Sequence, residues 1–151
     1  MKFNYLAIGL LLLALLLAIP AISAHDIGDY GFDIPDGYHI KNTSDDFVVL
    51  EGDNHHAISV SVINESSNKD ALKYMLEMYS YDFLTEENYT KGDFVVEEDL
   101  YTQEYQRGII YFCDNGDDLV VVDYKVSLND DVDDSPVDVI LDSLERLGWI
   151  F

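Results

Sequence analysis

The stretch Ile109-Ile110-Tyr111-Phe112 constrains this chain more than any other. Neighbouring residues of a strand point to opposite faces, so an unbroken apolar run is apolar on both. Such a strand is buried on two sides, which makes it central in its sheet and demands cover on each face. Asp114-Asn115-Gly116-Asp117 follows, and Asn-Gly is the preferred pair for a tight type I′ turn, where both central residues need positive φ. The expected hairpin pairs residues whose numbers sum to 231, with Phe112 opposite Leu119 and Ile110 opposite Val121. On the other face Tyr111 meets Val120 and Ile109 meets Val122, and Arg107 lands opposite Tyr124, within reach of a cation–π contact.

Three more strands can be read upstream. Tyr30 to Ile34 alternates briefly, ends at Pro35 and turns through Asp36-Gly37. Phe47 to Leu50 is an apolar run of strand length. Ala57 to Ile63 alternates cleanly, with Ile58, Val60 and Val62 on one face. Phe94 to Val96 opens a second β block.

Two helices are expected. In the first, Ser67 caps, Asp70 favours the positive helix end, and Leu72, Met75, Leu76, Tyr79 and Phe83 form the apolar stripe, with Lys73, Glu77 and Ser80 opposite. In the second, Ser135 caps, Pro136 takes the first helical position, and Val137, Ile140, Leu141, Leu144 and Leu147 make the stripe. Gly148 is placed to stop this helix, and Trp149-Ile150-Phe151 to fold back on its last turn. The expected order is β-β-β-α-β-β-β-α. That is an α+β fold, a mostly antiparallel sheet of about six strands covered by helices.

The N-terminus obeys a different rule. Lys2 precedes an apolar run of 14 residues, Leu6 to Ile19, then Pro20 and the small-residue stretch Ala21-Ile22-Ser23-Ala24. This is the order of an export signal. A membrane-spanning helix needs about 20 apolar residues, so cleavage after Ser23 or Ala24 is expected. An uncleaved anchor over residues 6–22 is the alternative. The domains are then 1–24, export signal, and 25–151, one folded unit with no internal repeat. The location implied is extracytoplasmic: secreted, or held on the outer face of the membrane by residues 6–22.

The formal charge is −22. So negative a surface repels nucleic acid and anionic lipid, leaving the N-terminal segment as the only expected membrane contact. The acids are spread along the whole chain, as in adaptation to a salty exterior. A single cysteine, Cys113, forbids an internal disulfide. Its apolar surroundings fit a buried, inert thiol better than a nucleophile. Three sequons, starting at Asn42, Asn64 and Asn88, lie in polar stretches between apolar ones and are candidate glycan acceptors in an exported chain.

The opening Tyr30-Gly-Phe-Asp-Ile-Pro-Asp-Gly-Tyr38, together with the spacing to the long hairpin and the terminal helix, resembles the PsbP-like domain family. In that family an aromatic strand, a proline, an acid-glycine turn and a further aromatic open the domain. Tyr38 stands where the family usually has Trp. The resemblance implies an antiparallel sheet sandwiched by helices, and a binding or assembly module with no shared catalytic residues to carry over.

The remaining chemistry is sparse. His55 and His56 are neighbours and would point to opposite faces of a strand. Asp53 and His55 share parity and make half of a metal site, where zinc needs three or four ligands. A polar approach to the strand is the expected role of both histidines. Cleavage after Ala24 would expose His25 as an N-terminal copper chelator, but no partner pattern accompanies it. Asn129 to Asp134 places oxygens at alternate positions, yet Asp134 stands where an EF-hand needs Gly and Ile140 where it needs Glu. Nucleophile elbow, phosphate loop, paired-histidine zinc helix and redox cysteine pair are all missing from the sequence. Tyr101 and Tyr105 share a strand face and form a candidate ligand platform. The expectation is a non-enzymatic module without a cofactor, binding an envelope protein or surface ligand. A secreted divalent-cation binder and an enzyme of unrecognised type are the alternatives.

Overall fold

The computed structural model of the chain describes residues 23–148. The apolar segment through Ile22 and the expected docking of Trp149, Ile150 and Phe151 lie outside the described residues. Among the described residues ten strands and two helices follow one another: β1 (Ser23–Ile27), β2 (Tyr30–Ile34), β3 (His39–Thr43), β4 (Phe47–Glu51), β5 (Ala57–Asn64), α1 (Lys69–Met78), β6 (Asp82–Lys91), β7 (Phe94–Gln103), β8 (Gln106–Asp114), β9 (Asp118–Ser127), α2 (Ser135–Ser143) and β10 (Glu145–Arg146). The class is α+β and sheet-dominated. The strand count and order differ from expectation, because β1, β3, β6 and β10 have too little apolar alternation to announce themselves.

Seven strands form the main sheet in the order β3-β4-β5-β9-β8-β7-β6, every pairing antiparallel. β8, with Ile109 to Phe112, is interior to that sheet, and both faces are covered. On one face Val48, Leu50, Ile58, Val60, Val96, Tyr111, Val120 and Val122 meet Ile27, Tyr30 and Phe32 of the small sheet β1-β2-β10, and Val137, Ile140 and Leu141 of α2. On the other face Tyr101, Ile110, Phe112, Leu119 and Val121 meet Leu72 and Leu76 of α1. Ser23 and Ala24, the end of the expected export segment, pair with Ile34 and Asp33 as the start of β1.

The hairpin register is corrected by two residues: Phe112 faces Val121 and Tyr111 faces Val122, so paired numbers sum to 233. The cause is the Asn115 side chain. Its Oδ1 accepts from the Asp117 and Asp118 amides at 3.0 and 2.9 Å, which opens the loop to four residues, and only Gly116 takes positive φ, at 92°. A two-residue slip keeps every side chain on its face, so the core assignment survives. Arg107 is carried away from Tyr124 to sit opposite Val126, and its Nε donates to the Asp130 carbonyl at 2.8 Å.

Both helices are shorter than their apolar stripes suggested. α1 begins at Lys69, after a 3-10 turn over Ser66–Asn68, so Ser67 is not its cap. Ser80 stops it with φ of 68°, the Tyr81 amide reaching back to Leu76 and the Ser80 amide to Glu77, a Schellman arrangement. Phe83 therefore belongs to β6. α2 ends at Ser143, whose Oγ donates to the Val139 carbonyl at 2.7 Å and accepts from the Asp33 amide at 2.8 Å. The chain then straightens, and Glu145–Arg146 pairs with β2. Gly148 is not needed as the stop.

Candidate functional site

α1 carries none of its residues fully buried, so its attachment has to come from elsewhere. Lys69, Leu72, Lys73 and Leu76 recur at helical spacing and form the inner face, half-buried. This rotates the helix away from the expected stripe: Lys73 turns inward, while Met75 and Tyr79 turn out. The reason lies in β7, which presents Glu97, Asp99 and Tyr101 to this face, all buried. Buried carboxylates need cations. Lys73 Nζ stands 2.9 Å from Asp99 Oδ2 and 3.4 Å from Glu86 Oε2, and also pairs with Glu97, which takes Lys69 as a second cation. The Phe83 and Phe112 rings flank the Lys73 ammonium at 5.4 and 5.7 Å.

The titration of the cage follows from this geometry. Burial alone would raise Glu97, but hydrogen bonds from Lys69 and Lys73 outweigh it and hold the carboxyl below the usual range. For Asp99 burial wins over the Lys73 bond, and its carboxyl sits above the usual range. Asp99 Oδ1 has no hydrogen-bond partner among the described residues. Glu86, Glu97 and Asp99 each offer an oxygen, all within 4.8 Å of one another, which is a spacing that could hold a metal ion. The Lys73 ammonium pairs with all three, so the trio works as a clamp that fastens α1 to the sheet.

A second buried network adjoins it. Tyr101 donates to Asp123 Oδ1 at 2.5 Å and Tyr81 to Asp123 Oδ2 at 3.0 Å, with Lys125 Nζ 3.4 Å from Oδ2. Burial raises the Asp123 carboxyl despite these partners, and burial and then the Asp123 charge raise the Tyr101 hydroxyl. These are strongly shifted groups of the kind found in active sites, but their hydrogen-bonding capacity is turned on one another.

What α1 leaves to solvent is unusual. Tyr74, Met78 and Tyr79 are 66, 70 and 67% exposed, and Tyr105, on the β7–β8 turn, is 76% exposed. Gln103 Nε2 donates to the Tyr79 carbonyl at 2.9 Å and ties that turn to the end of α1. Between them lies a recess of about 320 Å³ lined by Tyr79, Ser80, Gln103, Glu104, Tyr105 and Gln106. Exposed aromatic and methionine side chains grouped in this way mark contact surfaces.

The sequence candidates fare unevenly. Tyr101 and Tyr105 do not make a ligand platform: Tyr101 is fully buried in the Asp123 network and only Tyr105 is exposed. The hairpin turn separates them, since Glu104 takes φ of 40° and breaks the strand parity. Asp53 and His55 sit exposed on a 3-10 turn before β5, so strand parity does not govern them, and neither belongs to a three-ligand group among the described residues. His56 turns to the core edge, with Nδ1 3.4 Å from the Tyr124 hydroxyl and Nε2 3.5 Å from Asp130 Oδ2. His25 lies in β1 against Phe32, its Nε2 3.3 Å from Thr43 Oγ1. In the acid loop, Asp130 and Asp131 contact Arg107, and Asp133 Oδ1 accepts from the Ser135 amide at 3.1 Å at the start of α2. Cys113 is buried, and burial pushes its thiol up to about 12. Asn42, Asn64 and Asn88 are all exposed. The cage of Lys73, Glu97 and Asp99 went unread in the sequence. Its one signal is acids at alternating positions inside β7, a strand otherwise anchored by Phe94, Val96 and Tyr101.

No protein-family profile matches this chain, and no curated protein sequence matches it. Solved structures do. A cyanobacterial PsbP from Synechocystis superposes with a TM-score of 0.57 at 15% identity, over 85% of this chain and 95% of its own length. A protein from Bacteroides thetaiotaomicron superposes with a TM-score of 0.56 at 12% identity, over 80% of this chain but 46% of its own. This chain thus spans about half of the Bacteroides protein.

Proposed function

We propose that this chain, which has a PsbP-like fold, is an exported, non-enzymatic module of the cell envelope that docks a basic protein partner on the outer face of α1 and the neighbouring β7–β8 turn. The observation that carries this is the cluster of Tyr74, Met78, Tyr79 and Tyr105, each 66% or more exposed. Tyrosine and methionine give large contact areas that adapt to a partner. The partner's charge follows from the surroundings. Asp70, Glu77, Asp82 and Glu104 are the exposed charges around the cluster, while Lys69 and Lys73 are turned inward and already paired. A partner with cationic side chains around an apolar pocket complements this surface.

Export is supported by the Lys2-led apolar segment ending near Ala24. The non-enzymatic reading is supported by the use of the shifted groups Asp99, Asp123 and Tyr101 within the fold. The divalent-cation alternative has its best site at Glu86, Glu97 and Asp99, and there a metal would have to displace Lys73.

Site-specific photo-crosslinking in the native cell tests the reading. A benzophenone side chain in place of Tyr74, Tyr79 or Tyr105 should give one discrete adduct shared by all three. The same group in place of Lys41 on β3 should give none. Adducts equally strong from Lys41, or no adduct from the three tyrosine positions, would remove this docking face.

A further inference from the structure

Among the described residues the main sheet has two unpaired edges, β3 and β6. Every residue of β3 is exposed, and β6 is ten residues long with most of its residues exposed. An edge strand presents unpaired amide and carbonyl groups on which another chain can add a strand. Asn42 sits on β3 and Asn88 on β6, and each is followed two residues later by a hydroxyl, Ser44 or Thr90. Asn88 lies opposite Glu97 and Asn42 opposite Val49, so both side chains leave on the face that only α1 covers.

We propose that Asn42 and Asn88 are N-glycosylated, and that the two glycans guard the two edges of the sheet against strand addition. The proposal rests on export of the chain. In the transfer, Nδ2 of the asparagine attacks C1 of an oligosaccharide carried on a lipid phosphate or pyrophosphate. The C1–N bond forms as the C1–O bond to phosphate breaks. The lipid phosphate leaves with the bonding pair, and one amide proton passes to the base of the transferase. The substituted amide keeps one N–H, which is enough to retain the 3.2 Å bond from Asn88 Nδ2 to Glu86 Oε1. The glycan at Asn88 stands away from the Tyr105 end of the tyrosine cluster: Gln103 lies six residues along β7 from Glu97, the partner of Asn88, or about 20 Å. Asn64, at the end of the interior strand β5, guards no edge.

The test is peptide mapping by mass spectrometry on the protein purified from its own cells, with N-terminal sequencing on the same sample. Glycan mass on the peptides holding Asn42 and Asn88 is expected. The Asn42→Gln/Asn88→Gln double variant should keep its urea midpoint and yet aggregate several-fold faster by light scattering. Bare peptides from a chain shown to be exported overturn the modification while leaving export standing. Bare peptides from a chain retained in the cytoplasm overturn both. Occupied sites with an unchanged aggregation rate overturn the guarding role.

Discussion

Lys73 Nζ stands 2.9 Å from Asp99 Oδ2, and that pair joins a helix with no fully buried residue to a strand whose inner face is acidic. Leu72 and Leu76 add apolar contact, but each is only half-buried. α1 is therefore held in good part by charge, which frees its aromatic side for solvent. The docking surface and the ion cage are two faces of the same device.

Lys73→Met keeps most of the stem and removes the ammonium, leaving Glu97 and Asp99 buried beside each other with Lys69 as the remaining cation. Breaking a buried pair from one side costs roughly 3–5 kcal/mol. A fall in the urea midpoint of that order is expected, with much of it recovered in the triple variant Lys73→Met/Glu97→Gln/Asp99→Asn. An unchanged midpoint in the single variant would show that the cage is solvated and that α1 is held by its leucines.

The response to pH has two opposing parts. Glu97 is held below its ordinary range, so the stability it supplies is present above its unfolded pKa and disappears as pH falls through the lower folded value. Asp99 and Asp123 are raised, so the native state binds their protons more tightly than the unfolded chain does. Their contribution grows as pH falls through the raised folded values toward the unfolded one of about 3.9. Acidification also relieves self-repulsion in a chain of charge −22. Urea midpoints should rise on going below pH 7 and then fall at the acid end of the carboxylate range. Asp123→Asn should flatten the rise. A steady decline from pH 7 downward would contradict the raised carboxyls.

Gly108 separates packing from conformation. A Cβ there would overlap the Tyr124 carbonyl oxygen and come within 2.8 Å of the Tyr101 hydroxyl, while at Gly148 it would meet nothing within 4 Å. Gly108→Ala should yield little soluble protein, because the clash is with backbone in a paired interior strand and not with the end of a flexible side chain. Gly148→Ala should unfold like the parent. The two are compared by yield and by circular dichroism melts.

Local periodicity in the amino-acid order settles the parts whose burial it encodes. Ile109 to Phe112 had to be interior, Ala57 to Ile63 had to face one way, and Val137, Ile140 and Leu141 had to meet a core, because each pattern has a single solution on its own strand or helix. Tertiary structure alone decided the rest. β3 and β6 draw their order from the backbones of β4 and β7 while their side chains stay largely in water, so no alternation is required of them. Asn115 set the hairpin register by turning its side chain onto the loop amides, a choice invisible in the Asn-Gly pair. The facing of α1 was decided by β7: an amphipathic stripe says which residues prefer an apolar neighbour, but Glu97 and Asp99 made the inner surface charged, and the lysines went in while the tyrosines came out. Period is a property of one segment, whereas a buried charge is compensated only by whatever another segment brings to it.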